Sequence, residues 1–282
     1  MPVFIITRLT FLEAVRRKIA LAAFVLGLGF LILYGLGFFF MTRETGLPTG
    51  NDPQAQLLRS QVYSFLANAG LYAVNFLALA MGALVSADTL AGEIGSGTIQ
   101  ALVTKPVRRA EIVLGKWLGF AGLLGLYLAL MAGGVLGIVY ALSGYRVPHT
   151  LTGLSLIYLE AALMMTITLA CSSTFSTLAT GGTVFGLYGV AFIGGWVEQI
   201  GTLLQNQTAI NIGVVSSLIM PSEALFRRAA YEMSSPVARA VGMSFGPSFV
   251  ASVPSPPMVI YAALYLAAAL ALAVRQFGRR DL

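Results

Sequence analysis

Residues Ile19 to Met41 read IALAAFVLGLGFLILYGLGFFFM, an apolar run with no charged side chain. A hydrocarbon layer about 30 Å thick is crossed by about 20 helical residues at 1.5 Å each, so this run is long enough to span a bilayer. Arg8, Arg16, Arg17 and Lys18 precede it. It is too long for the apolar core of a signal peptide and lacks a clear small-residue cleavage site, so it reads as a retained membrane span.

Working outward, the same test finds further spans at 62–87, 113–141, 152–176, 180–200 and 257–275. The expected fold is therefore all-α: a polytopic membrane protein with six transmembrane helices in a single transmembrane domain over 1–282. Composition agrees, since 57% of the 282 residues are hydrophobic, 10% are charged and the mean hydropathy is +0.85. That exceeds what a soluble core of this size needs. The fourth and fifth spans are separated by little more than STLATGG, where Gly181 and Gly182 permit a tight reversal or a bend within one helix.

The basic residues set the expected sidedness. With both termini cytoplasmic, the inner segments hold Arg8, Arg16, Arg17, Lys18, Lys105, Arg108, Arg109, Lys116, Arg275, Arg279 and Arg280. The outer segments hold Arg43, Arg59, Arg146, Arg227, Arg228 and Arg239, so the division is eleven against six of the 17 Lys and Arg. The positive-inside rule favours this orientation, with residues 1–18 as a basic cytoplasmic helix. The net charge of +6 is spread between apolar runs rather than gathered into a patch, which argues against nucleic acid as a partner.

Two outer segments stand out: TRETGLPTGNDPQAQLLRSQ after the first span, and the loop 201–256. Within the latter, INIGVVSSLIM is apolar but too short to cross, and PSEALFRRAAYEM follows it. Ser222 is placed to cap a helix whose apolar stripe is Leu225, Phe226, Ala229, Ala230 and Met233, and that helix is expected to lie along the outer interface. The loop reads either as a cap on the span ends or as a gate or partner-binding lid. GPSFVASVPSPPM reads as an extended lead into the last span.

Several chemistries are disfavoured. Gly92, Gly97 and Thr98 approach a phosphate-binding loop, but Thr98 stands where that motif needs its lysine, and a membrane helix rather than a strand precedes it. There is no H-E-x-x-H and no G-x-S-x-G. The one cysteine, Cys171, and the one histidine, His149, provide neither a disulfide framework nor a metal cage. No catalytic residue, cofactor or metal site is expected in this chain, and the ten Met residues read as core filling.

Polar groups inside spans carry more weight, because a charge in lipid costs at least a few kcal/mol unless it is paired, hydrated or neutralised. Glu160 lies inside the fourth span, as part of a water-filled or proton-linked path or as a neutral acid at a helix contact. Asn68 and Asn75 share one face of the second span. Thr166 and Ser173 belong to the hydroxyl-rich TITLACSSTFSTLAT. These five are the candidates for a translocation path, and helix–helix hydrogen bonding is the competing reading.

The inner segment 88–112 is the most distinctive. Glu93 is followed four residues later by Gly97-Thr98, then by the apolar turn IQALVTK ending at Lys105, by Pro106, by the pair Arg108-Arg109, and by VLGKWLG at the start of the third span. By composition alone this is a basic membrane-surface loop. Its order of residues resembles the first cytoplasmic loop of the membrane subunits of type-2 ATP-binding-cassette (ABC) transporters. The six spans, basic termini and outer LIMPSEALFRRAAYE element extend the resemblance over most of the chain. It looks most similar to the single-domain group that includes the nitrous-oxide-reductase maturation permease. One departure is Gly95, where many members carry a second acid.

The resemblance implies an exporter-like permease of the plasma (inner) membrane of a prokaryote, whose 88–112 loop docks a separate cytoplasmic ABC ATPase through Glu93, Gly97, Thr98, Lys105, Pro106, Arg108 and Arg109. ATP and Mg would be used by that partner and not bound here. A second permease subunit, identical or different, completes the expected assembly, and an extracytoplasmic accessory protein is a further expected partner. Two rival functions are a non-transporting membrane anchor or assembly factor, and an ion-coupled secondary carrier centred on Glu160. A carrier is expected to show repeated or interrupted spans, which the sequence does not display.

Overall fold

The computed structural model describes residues 2–44, 52–95, 108–235 and 252–279, and all regular structure among them is helical. In chain order the helices are α1 (Pro2–Arg16), α2 (Lys18–Glu44), α3 (Pro53–Gly95), α4 (Arg109–Ser143), α5 (Thr150–Ser172), α6 (Thr177–Leu203), α7 (Gln207–Ile219), α8 (Ser222–Met233) and α9 (Pro256–Arg279). Six are long and apolar enough to cross a membrane: α2 to α6 and α9. A seventh crossing results if α7 and α8, which meet at 106°, are taken as one broken span.

The bundle is organised around α5, which packs against α3, α4, α6, α8 and α9. Every residue from Glu160 to Ala170 is buried, so no face of that stretch is spared. A helix that is apolar all round has no surface to offer water, and the centre of the bundle is where such a helix belongs. By contrast α2 and α9 bury only 11% of their most apolar window and turn large side chains such as Leu33, Ile260 and Leu264 outward. Those faces suit lipid or another membrane helix.

Helix α1 lies against α4 rather than continuing α2. Gly119 of α4 makes this approach feasible, because a Cβ there would sit 2.9 Å from the Thr7 carbonyl oxygen and 2.8 Å from the Thr10 side chain. The chain then turns into α2 at Arg17, which forms an ion pair with Asp88 of α3 at 3.8 Å. Asp88 also accepts a 3.1 Å hydrogen bond from Thr177 at the start of α6, and Arg109 at the start of α4 donates to the Gly278 carbonyl of α9 at 3.3 Å. Both terminal helices thus share one end of the bundle with the helix ends that flank residues 96–107.

Three expectations need correction. The reversal between the fourth and fifth spans falls at Ser173–Ser176, where Ser176 caps α6; Gly181 and Gly182 lie inside α6 with open space around them. Gly182 and Gly186 also have the G-x-x-x-G spacing from which a close helix contact is expected, but nothing lies within 4 Å of a Cβ built on either. The loop 201–256 does not begin as an outer cap. Gln205, at φ 53°, and Asn206 reverse the chain directly, and the Asn206 side chain accepts from the Thr208 and Ala209 amides to start α7, which runs back along α6. With 13 residues, α7 reaches only about 20 Å before Pro221 ends it.

The contact between α6 and α7 rests on glycine. A Cβ on Gly213 would lie 2.3 Å from the Glu198 Cβ and 2.7 Å from the Gly194 carbonyl oxygen, so any larger residue would drive the helices apart. Helix α8 is not laid along an interface. Leu225, Phe226, Ala229, Ala230 and Met233 are buried as the stripe implied, but so are Ser222, Glu223, Ala224 and Arg227 from its other faces. Its arginine finds a buried acid, which removes the reason for that face to seek water. Ser222 is the first helical residue, and Pro221 takes the cap position instead.

Candidate functional site: a buried charge cluster and the inner helix ends

At the inner end, the residues expected to engage an ATPase are only partly described. Gly97, Thr98, Lys105 and Pro106 lie outside the described residues, and Glu93 is placed only as part of the last turn of α3. Arg108 occupies the cap position of α4, where its amide donates to the Glu111 carboxylate at 3.0 Å. Arg109 reaches the carbonyl end of α9, a favourable place for a cation because the last carbonyls of a helix concentrate negative partial charge. Helix α3 continues to Gly95, so its 43 residues extend about 65 Å, roughly twice the hydrocarbon thickness. Asp88 and Glu93 sit on that extension.

Toward the opposite end, α6, α8 and the lead into α9 enclose an ion pair. Arg227 donates to Glu198 at 2.8 Å, and the two side chains are only 3% and 6% exposed. Ser252 donates to the second Glu198 oxygen at 2.6 Å, and Arg227 also reaches the Ser252 carbonyl at 3.5 Å. Arg228 pairs with Glu232 at 2.9 Å and donates to the Pro254 carbonyl at 3.1 Å. A carboxylate and a guanidinium removed from water are tolerable only when paired and further hydrogen-bonded, and Glu198 has both supports. Beside the pair lies a cavity of about 240 Å³, with Glu198, Ser217, Arg227, Ser252 and Ser255 as its polar lining and Val214, Leu218 and Met258 among its apolar walls.

Deeper in the bundle is a second polar group. Glu160 is completely buried halfway along α5, and neither of its oxygens has a well-formed hydrogen bond. Asn75 of α3 lies beside it, and Glu223 of α8, Tyr72 of α3 and Tyr188 of α6 are close enough to interact electrostatically with it. Gly195 of α6 leaves the space Glu223 occupies, since a Cβ there would be 2.5 Å from the Glu223 Cγ. The Tyr72 ring meets Phe226 of α8 edge-on, with centroids 5.0 Å apart.

Of the five path candidates, the structure brings together only Glu160 and Asn75. Asn68 donates to the Ser64 carbonyl within its own helix. Thr166 accepts a 2.8 Å bond from the Trp117 indole of α4, and Ser173 faces Gln276 of α9 at 3.0 Å. Thr166 therefore joins α4 to α5, while Ser173 both joins α5 to α9 and lines an open pocket with Thr174, Gln276 and Arg279. The sequence places Glu223 only as a first-turn acid and Arg227 as a surface charge of the helix after Pro221, and it gives Glu198 and Ser252 no role. The available signal was Glu198 in the otherwise apolar GGWVEQIG, but its partner lies 29 residues away across a reversal and a sharp bend.

No curated protein matches the chain. A family model described as "ABC-2 family transporter protein" does match, from residue 4 to residue 282, essentially the whole bundle including α1 and the α7–α8 element. The match covers almost all of a chain with six helices long and apolar enough to cross a membrane, and the chain belongs to the ABC-2 family of transporter membrane proteins.

Proposed function

We propose that this protein is the permease subunit of an ATP-driven exporter, operating as a pair of permeases with two copies of a separate ABC ATPase at its cytoplasmic end. Membership of the family supports the transport role. The observation that carries the coupling assignment is the convergence of α1, the extended end of α3, the start of α4 and the end of α9 around residues 96–107. A force applied between α3 and α4 there reaches the centre of the bundle directly, because both helices pack on α5 and a packed helix moves as a rod. Both termini and the 96–107 segment are assigned to the cytoplasm of a prokaryotic cell, as the basic residues at that end favour. The outward faces of α2 and α9 are the surfaces available to a second permease or to lipid. Glu160 and Asn75 are the residues assigned to the translocation path, and the nitrous-oxide-reductase maturation group is the subgroup assignment.

Co-purification tests the coupling. The permease is expressed in turn with each ABC ATPase subunit of the same cell that lacks a membrane domain of its own, and the complex is captured in detergent. Glu93→Ala, and Arg108→Ala with Arg109→Ala, are expected to reduce recovered ATPase severalfold while the permease remains monodisperse. Undiminished ATPase recovery in both variants would remove the loop from the coupling role.

A further inference from the structure

The buried acids of this bundle outnumber the buried cations beside them. Among the described residues around α8, three carboxyl groups are packed away from solvent, Glu160, Glu198 and Glu223, against one guanidinium, Arg227. Arg227 is committed to Glu198, and Arg228 to Glu232. Glu160 and Glu223 are left facing one another's field, from the middle of α5 and the first turn of α8. The other elements packed on α5 do not correct the balance near Glu160. Helix α3 contributes Tyr72 and Asn75, and α6 contributes Tyr188. On α9, Tyr261 donates to the Leu218 carbonyl at 2.6 Å. The buried cation of α4, Lys116, adjoins Trp117, whose indole bonds Thr166, six residues and about 9 Å along α5 from Glu160.

Two adjacent ionised carboxylates in a dry interior repel, and each carries a desolvation cost of several kcal/mol, which among the described residues Arg227 offsets in part at Glu223 and no cation offsets at Glu160. Arg227 is near enough to act on Glu223 as well as on Glu198. Glu160 has no such support, and both of its oxygens lack a well-formed hydrogen bond among the described residues. We infer that Glu160 is a proton-binding site: it holds an exchangeable proton as a neutral carboxylic acid, and the neighbouring Glu223 keeps that proton in place. Because the two acids sit on opposite sides of the α5–α8 contact, release of the proton would place two negative charges across it. Seating of α8 against α5, and with it the floor of the outer cavity, is thereby linked to proton uptake. This inference does not depend on the ATPase assignment.

Infrared spectra of the full chain in lipid nanodiscs at neutral pH test it, recorded in H2O and D2O and in either sodium or choline chloride. The wild type is expected to show a protonated-carboxyl C=O band that shifts on deuteration. The band should be lost in Glu160→Gln, shifted in Glu223→Gln, and unchanged in Glu13→Gln, which alters an exposed acid at the inner end. Absence of the band in the wild type overturns the proposal, as does a band unmoved by Glu160→Gln. A wild-type band present in choline but abolished by sodium at the same pH would overturn it in favour of a bound alkali cation, and needs no variant to fold.

Discussion

Replacing Arg227 by Met removes the guanidinium that, among the described residues, meets Glu198, while preserving most of the side-chain volume. The two side chains are 3% and 6% exposed, so solvent does little to screen the loss. An acid left buried without its partner costs roughly 3–5 kcal/mol, which corresponds to about two to three and a half decades in the ratio of folded to unfolded protein. Pairing the change with Glu198→Gln removes the stranded charge. The double variant is expected to recover most of the deficit, because a buried ion pair replaced on both sides is often close to neutral. Equilibrium unfolding in mixed micelles, followed for all four members of the cycle, measures the coupling directly. The bent α7–α8 element should be the region whose protease resistance falls first, since α8 is tied to α6 and to the lead into α9 through this pair. A loss under about 1 kcal/mol for Arg227→Met, a value typical of surface pairs, would refute the reasoning, as would a double variant no better than the sum of its parts.

Other outcomes follow from the same packing. Gly213→Ala places a methyl group 2.3 Å from the Glu198 Cβ and should cost about 1–3 kcal/mol through overpacking, whereas Gly186→Ala meets nothing within 4 Å and should be neutral or gain up to about 1 kcal/mol of helix propensity. The same unfolding assay ranks the two, and equal effects would discount the tight α6–α7 contact. For topology, single cysteines at the exposed positions Arg108 and Arg146, in a Cys171→Ser background, should react with an impermeant thiol reagent from opposite sides of the membrane. Labelling of both from one side would break the assigned topology; buried Arg227 is unsuited to this probe.

The long crossings were legible in the sequence because hydropathy is a local property: a run such as Ile19–Met41 needs no partner to declare that it is more stable in lipid than in water. The loop from Glu93 to Arg109 stands out in the sequence because its residue order is contiguous, while its middle, 96–107, lies outside the described residues. Glu160 and Asn75 stood out through the cost of polar groups in a span, and the bundle does set them side by side. Other inferences failed where they required knowledge of what lies opposite. The spacing of Gly182 and Gly186 matched a packing motif, yet that face of α6 is open, while Gly194, Gly195 and Gly213, which made no stronger local pattern, carry the close contacts. Helix α8 read as amphipathic because Arg227 is charged, and only the fold reveals that Glu198 neutralises it in the interior. The sequence by itself determined which segments prefer lipid and where the chain carries its charges. The tertiary structure decided which of those charges meet, because the strength of an ion pair depends on separation and on exclusion of water, and neither exists until the helices pack.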